Sequence, residues 1–91
     1  MPFINVEISF LIQDSFSLKD KRSTVKSIVK RMHQRHNASL AEVAKQDVLN
    51  VGRVGISVVS SSTLVAQQTV DQIIKEIEEM YEIEIFDISY V

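Results

Sequence analysis

The sequence predicts an α+β domain in which two helices cover one face of a four-stranded antiparallel sheet. Two observations carry this prediction. Four segments alternate apolar and polar residues with the period of a strand, and two segments repeat apolar residues with the period of a helix. Their order along the chain is β-α-β-β-α-β. With 91 residues, of which 45% are hydrophobic and 24% charged, the chain has the size and balance of one domain over residues 1–91.

The first half of the chain predicts a strand followed by a helix. Residues 4–12 alternate apolar and polar side chains and predict the first strand. Ser17 is a typical N-cap with Asp20 three residues later, and Asn37 is a residue type that often ends a helix. The stripe expected to face the core, which covers about 100° of the helix surface, consists of Leu18, Val25, Ile28, Val29 and Met32.

The second half predicts two strands, a helix and a last strand. Residues 38–43 predict the second strand, residues 45–52 a loop or strand-turn region, and residues 54–59 the third strand. The serines and threonine at 60–63 offer N-caps for the second helix. Residues 83–91 predict the last strand, in which the apolar phase slips by one residue. Such a slip indicates either a β-bulge or a strand buried on both faces.

This order of elements is typical of the ferredoxin-like split βαβ arrangement. Right-handed crossovers would put both helices on the same face of the sheet and leave the other face open. The predicted fold is therefore a ferredoxin-like β-α-β-β-α-β sandwich.

The net charge of −2 conceals an uneven distribution along the chain. Residues 1–45 carry a net charge of +4 and residues 46–91 one of −6. Residues 17–37 alone hold seven Lys or Arg residues and a single acid. Cations on a helix can bind phosphates with release of condensed counterions. The candidate nucleic-acid-binding or anion-binding residues are Lys19, Lys21, Arg22, Lys26, Lys30 and His33.

All of these candidates except Lys21 project within about 80° of one another at helical periodicity, so they form one flank beside the apolar stripe. Two other interpretations stay open. The flank can be a solvated face whose long side chains shield the margin of the core. Alternatively, acids of the second half pair with it, since Asp71 and Glu78 share one flank of the second helix.

Three blocks of sequence occur in an order and spacing that resemble one known family. They are SLKDKR at 17–22 with VKS at 25–27, NASLAEV at 37–43 with QD at 46–47, and GISVVS at 55–60. The combination resembles the YlxP-like family of small bacterial proteins. The resemblance implies a ferredoxin-like fold. Because the genes of that family often neighbour those of translation and ribosome-maturation factors, it also implies a link to RNA or the ribosome.

One part of the chain departs from that family. Many relatives carry Trp-Gln-Arg just after the residue that Asp47 matches, whereas this chain has VLNVGR at 48–53. The aromatic residue is missing and the arginine lies two residues later. Base stacking by that loop therefore lacks its principal side chain.

Several classes of function are excluded by residue content. The chain has no cysteine, so disulfides and thiolate metal sites are impossible. Residues 13–17 contain no glycine, which excludes the phosphate loop of acylphosphatases. The third strand contains no aromatic residue, so the stacking mechanism of RNA-recognition motifs is rejected. No apolar run approaches the ~20 residues of a membrane span, and the N-terminus does not resemble a signal peptide, so we expect a cytoplasmic protein.

Two pairs of residues could carry chemistry of their own. Glu42 and Asp47 could act in acid–base catalysis or bind Mg²⁺, although a structural ion pair of Glu42 with Arg22 is favoured because no third catalytic partner is identifiable. His33 and His36 could bind a metal, but no third ligand is evident. The sequence therefore predicts no catalytic, cofactor or metal site.

The function expected from the sequence is that of a non-enzymatic accessory factor that contacts structured RNA or the ribosome through its basic first helix. The alternative is a homo-oligomeric regulatory module of ferredoxin-like fold, with or without a small anionic ligand. The small core favours oligomerisation.

Overall fold

A computed structural model describes residues 2–13, 16–44 and 48–91 of the protein. The order of elements is the predicted one. The elements are β1 (Phe3–Ile12), α1 (Leu18–Arg35), β2 (Ala38–Ala44), β3 (Val51–Val59), α2 (Thr63–Met80) and β4 (Ile83–Tyr90). The strands form one antiparallel sheet in the order β2-β3-β1-β4, which confirms the ferredoxin-like prediction.

Strand alternation gives the sheet one buried and one open face. Side chains at even positions of β1 and β3 turn toward the helices, and those at odd positions turn to the open face. Val25, Ile28, Val29 and Met32 of the predicted α1 stripe meet the buried face, as does the apolar face of α2, whereas Leu18 is only partly buried. The largest fully buried apolar side chains are Phe10, Ile8, Ile28, Met32, Ile73 and Ile77.

Serine residues cap both helices at their N-termini. The Ser17 hydroxyl accepts a hydrogen bond from the Asp20 N–H at 3.1 Å, and the Asp20 carboxylate accepts from the Phe16 N–H at 3.4 Å. Ser62 caps α2 by accepting from the Val65 N–H at 3.4 Å. Both arrangements satisfy amide groups that have no partner inside the helix.

The third strand begins at Val51, three residues earlier than the sequence predicted. The segment resembles a loop because it contains Gly52, yet Gly52 lies on the buried face directly against Phe10. A Cβ atom at Gly52 would lie 2.7 Å from Cε2 of the Phe10 ring. The glycine therefore gives space for the largest core side chain and does not mark a turn.

The phase slip in the last strand is a β-bulge. Ser9 of β1 lies opposite Asp87, whereas its neighbour Phe10 lies opposite Ile85, so Phe86 is the extra residue of β4. A second irregularity occurs in β2, where the register shifts between Glu42 and Ala44. Both irregular strands are edge strands of the sheet.

Candidate anion-binding surface

An exposed basic row runs along α1 on the side nearest to β2. It consists of Lys19, Arg22, Lys26 and Lys30, which all lie at the surface as their helical spacing predicts. The last three, together with Val25, Val29 and Glu42, line a shallow groove of about 380 Å³. We call this depression the basic groove. Within the described residues, Lys19, Lys26 and Lys30 make no ion pair.

Lys21 does not belong to this surface, which corrects the candidate set. Its side chain is 0% exposed, and its Nζ lies 2.8 Å from Oε2 of Glu42 on β2. The sequence contained a signal for this position. Lys21 precedes Val25 by four residues and Ile28 by seven, so it projects from the centre of the apolar stripe. Its burial follows from helical phase, and its charge requires an internal partner.

Glu42 is thus part of a structural ion pair, and the structure supplies Lys21 as a partner where the sequence suggested Arg22. Arg22 borders the same groove as Glu42 from the solvent side. Asp47, the other member of the predicted carboxylate pair, lies outside the described residues. Because Glu42 is paired with Lys21, its geometry gives no support to a catalytic or Mg²⁺-binding role for the two carboxylates Glu42 and Asp47.

A second internal pairing uses cations at the end of α1. Glu76 of α2 is buried, and its carboxylate accepts from Arg35 Nε at 2.6 Å and contacts His36 Nε2 at 2.5 Å. Burial by itself would raise the pKa of Glu76, but the hydrogen bonds from Arg35 and His36 lower that pKa below its ordinary value. The contact joins the two helices and removes Arg35 from the set of available cations.

The two histidines face different partners. His36 lies just beyond the helix as its C-cap and is half-buried beside Glu76. His33 donates from Nδ1 to the carbonyl oxygen of Ala38 at 2.7 Å, so its ring turns to the start of β2 while its edge stays exposed. The described part of the chain contains no group of three His, Asp or Glu residues that could hold a metal ion.

The acids of α2 do not face the basic row. Asp71, Glu78 and Glu79 line a different groove with Ile88 and Tyr90, between α2 and β4. Since β2 and β4 are the two opposite edges of the sheet, this groove lies on the far side of the domain from the basic row. The predicted pairing of Asp71 and Glu78 with the row within one molecule is therefore wrong.

The open face of the sheet carries a polar network that the sequence reasoning missed. Arg53 of β3 donates from Nε to Glu7 of β1 at 2.7 Å and from Nη1 to Asp87 of β4 at 3.0 Å and to Ser9. The hydrogen bonds to Glu7 and then to Asp87 raise the pKa of Arg53. The hydrogen bonds from Arg53 and Ser89 lower the pKa of Asp87. The sequence did contain a signal for this network. Glu7 and Arg53 both fall at positions of neighbouring strands that face the open side of the sheet, where opposite charges lie diagonally across from each other.

This network bears on the rejected stacking mechanism. The guanidinium of Arg53 is committed to carboxylates of its own sheet. Its β3 neighbours on the same face, Gly55 and Ser57, offer no ring for a base. A phosphate could bind the Arg53 guanidinium only in place of these contacts.

Fold and surface together define a small ferredoxin-like domain with a cationic first helix and no aromatic platform on the described third strand. The chain belongs to the family described as "Protein of unknown function (DUF503)", whose model matches residues 3–90. It is 33% identical over 78 residues to the "Uncharacterized protein YlxP" of Bacillus subtilis (strain 168), a match that spans 86% of this chain and 85% of that protein. The YlxP-like resemblance is thereby confirmed.

Solved structures with the same architecture are distant in sequence. A de novo designed protein with a ferredoxin fold, solved by NMR, superposes with a TM-score of 0.61 at 17% identity, over 100% of this chain and 84% of that one. A C-terminal segment of the α subunit of aIF2 from Pyrococcus abyssi gives 0.58 at 11% identity, over 100% of this chain and 51% of that one. Identities this low establish the fold alone. No helix in the described residues is long and apolar enough to cross a membrane.

Proposed function

We propose that the protein is a non-enzymatic accessory factor that contacts the phosphate backbone of structured RNA, including that of the ribosome, through the basic row of α1. The observation that carries the proposal is the sorting of cations on this helix. Lys21 and Arg35 are committed to Glu42 and Glu76, whereas the row lies at the surface on the side away from the acids of α2.

The spacing of the row suits a polyanion. Arg22, Lys26 and Lys30 follow one another at four-residue intervals, about 6 Å along the helix axis. Such a line of charges follows a phosphate backbone and does not surround a single small anion. Lysine side chains place a protein on a nucleic acid without reading bases, so the contact would depend on shape and charge.

The chemistry of the described residues supports binding in preference to catalysis. The two buried charged side chains in the described residues, Lys21 and Glu76, both have ion partners of opposite sign, which indicates structural roles. The groove beside the row has valine side chains and no positioned nucleophile.

The test is a titration of purified ribosomal subunits and of structured RNA at several salt concentrations. Three phosphate contacts would make the logarithm of the association constant fall by about 2–3 per tenfold rise in salt. Lys26→Glu and Lys30→Glu are each expected to weaken binding, whereas Arg31→Glu, an exposed change of equal charge on another side of α1, is the matched control. Equal effects of all three variants, or no binding at low salt, would overturn the proposal.

A further inference from the structure

The groove between α2 and β4 has the character of a docking surface. Its walls are formed by Asp71, Glu78 and Glu79, with one cation, Lys75, and its floor includes Ile88 and Tyr90. These two floor residues are on the helix side of β4, yet they are 45% and 55% exposed because α2 covers the strand incompletely. Exposed apolar side chains bordered by charges are typical of interaction sites. We call this depression the acidic groove.

The basic groove on the opposite edge of the domain is its counterpart. Both grooves have a volume of about 380 Å³ and an apolar component. The charged residues lining the acidic groove give it a formal net charge of −2, and Arg22, Lys26, Lys30 and Glu42 give the basic groove +2. One molecule cannot bring the two together because the grooves lie at opposite edges of its sheet. Two molecules can.

The topology allows this contact through a simple translation. Each neighbouring strand pair in the order β2-β3-β1-β4 is antiparallel, so β2 and β4 of one molecule run in opposite directions. A second copy moved along the sheet would place its β2 beside β4 of the first, antiparallel, with the helices of both copies on the same side. Outside the two bulges, the regular edge segments are residues 38–42 and 87–90.

The same translation sets the register of the helices. The helix α1 follows β1 and α2 follows β3, so α1 and α2 run antiparallel, and α1 of the second copy would lie beside α2 of the first. Within one molecule Arg35 of α1 contacts Glu76 of α2, and Ser27 contacts Tyr81 just beyond α2. A translation across the strands keeps this level, so Lys30 of the second copy would face Glu78 and Glu79. Lys75, whose ammonium is 4.0 Å from Glu79, is the one cation that lines the acidic side of this contact. The attraction therefore comes from Lys30 and the glutamates near the C-terminal end of α2.

We propose that copies of this chain associate head to tail, with the basic groove of one molecule docked against the acidic groove of the next. The inference goes beyond RNA contact, because it assigns a role to the acidic groove, which a polyanion avoids. Since the two surfaces differ, the contact is heterologous and generates an open chain or a ring, not a two-fold dimer. RNA and a second copy would compete for the basic groove.

Trapping with engineered cysteines tests the contact directly, because the chain has no cysteine of its own. Lys30→Cys and Glu78→Cys variants are mixed at low salt after nuclease treatment and oxidised. The expected result is a disulfide between the two variants in excess of either homodisulfide. Preferential linkage of Lys30→Cys to itself, or no linkage above that of a denatured control, would overturn the proposal.

A second measurement uses Lys75, the one cation that lines the acidic groove. Lys75→Glu makes the acidic groove more negative and is expected to raise the self-association constant about two- to fivefold, as exposed pairs typically contribute. Arg31→Glu changes the net charge by the same amount, but Arg31 lies outside both grooves. This variant should therefore not raise the self-association constant. Sedimentation velocity on nuclease-treated protein gives both constants. A decrease for Lys75→Glu equal to that for Arg31→Glu would indicate general charge repulsion and overturn the proposal. Neither experiment contains RNA, so failure here leaves the RNA proposal standing.

Discussion

Lys21 and Glu42 join the first helix to an edge strand through an ion pair in which the ammonium is fully buried and the two charged atoms lie 2.8 Å apart. The pair lies beneath the basic row, so one lysine of the helix holds the fold while its neighbours face solvent. A charge removed from water this completely is tolerated because its partner is close. The cationic helix therefore divides into a structural part and an exposed part.

Lys21→Met is expected to lower the free energy of unfolding by about 3 kcal/mol, because it removes one partner of a buried pair and leaves the other unpaired. The double variant Lys21→Met/Glu42→Leu should lose less, since no unpaired charge remains. Urea denaturation of the single and double variants measures both values. If the double variant were the less stable of the two, the destabilisation would come from packing of the long side chain and the pair would contribute little.

The fold could be predicted because its signals are local. Alternation, helical period and serine caps act within one element, and together they give the order that the sheet confirms. The start of β3 was missed because the strand needs a glycine at position 52 only to make room for Phe10. Phe10 lies 42 positions earlier in the sequence. Contacts between distant elements decide such positions, and sequence periodicity does not report them.

The candidate surface was predicted less completely, for the same physical reason. The exposed row follows from helical phase alone, and the structure places its members as expected. The partners of Lys21, Arg35 and Arg53 depend on which strands and helices become neighbours. Helical phase did place Lys21 on the apolar stripe, so its burial was available from the sequence even though its partner was not.

The contact of Glu76 with Arg35 and His36 should stabilise the packing of the two helices. Glu76→Gln is expected to cost about 1.5–3 kcal/mol at neutral pH, the range for hydrogen bonds to charged groups. Thermal or urea unfolding of the variant measures the loss. An exposed change on the same helix, Glu79→Gln, is the matched control and should have almost no effect, because its only described ion pair is the 4.0 Å contact with Lys75.

The contribution of Glu76 should also depend on pH in a defined direction. Its folded-state pKa is lower than the ordinary value of 4.5, so the carboxylate binds protons less readily in the folded than in the unfolded protein. The stabilisation is therefore complete above that ordinary value and is lost as the pH falls through the folded-state pKa. Unfolding curves of wild type and Glu76→Gln should converge in this acid range. A difference that stayed constant down to pH ~3 would contradict the assignment.

The open-face network makes a prediction that titration can follow at a single residue. Hydrogen bonds from Arg53 and then from Ser89 lower the pKa of Asp87, so Arg53→Gln should raise that pKa toward its ordinary value of 3.8. Ser89→Ala should raise it less, because the guanidinium contact is the larger cause. Carbon-13 NMR of the Asp87 carboxyl group follows both. An unchanged Asp87 titration in Arg53→Gln would show that the salt bridge to Arg53 is not formed in solution.

Gly52→Ala should destabilise the protein, because its new Cβ would lie 2.7 Å from the Phe10 ring in a fully packed core. Overpacking of this kind costs about 1–3 kcal/mol. At Gly55 the nearest atom is a terminal methyl group of the exposed Val43, 3.0 Å away, which can move, so Gly55→Ala is the matched control and should cost less. Adding Phe10→Leu to Gly52→Ala frees the space that the methyl group needs, so the two changes should be less than additive in urea unfolding. Full additivity would mean that the ring and the glycine are not in contact, and β3 would then lack its reason to begin at Val51.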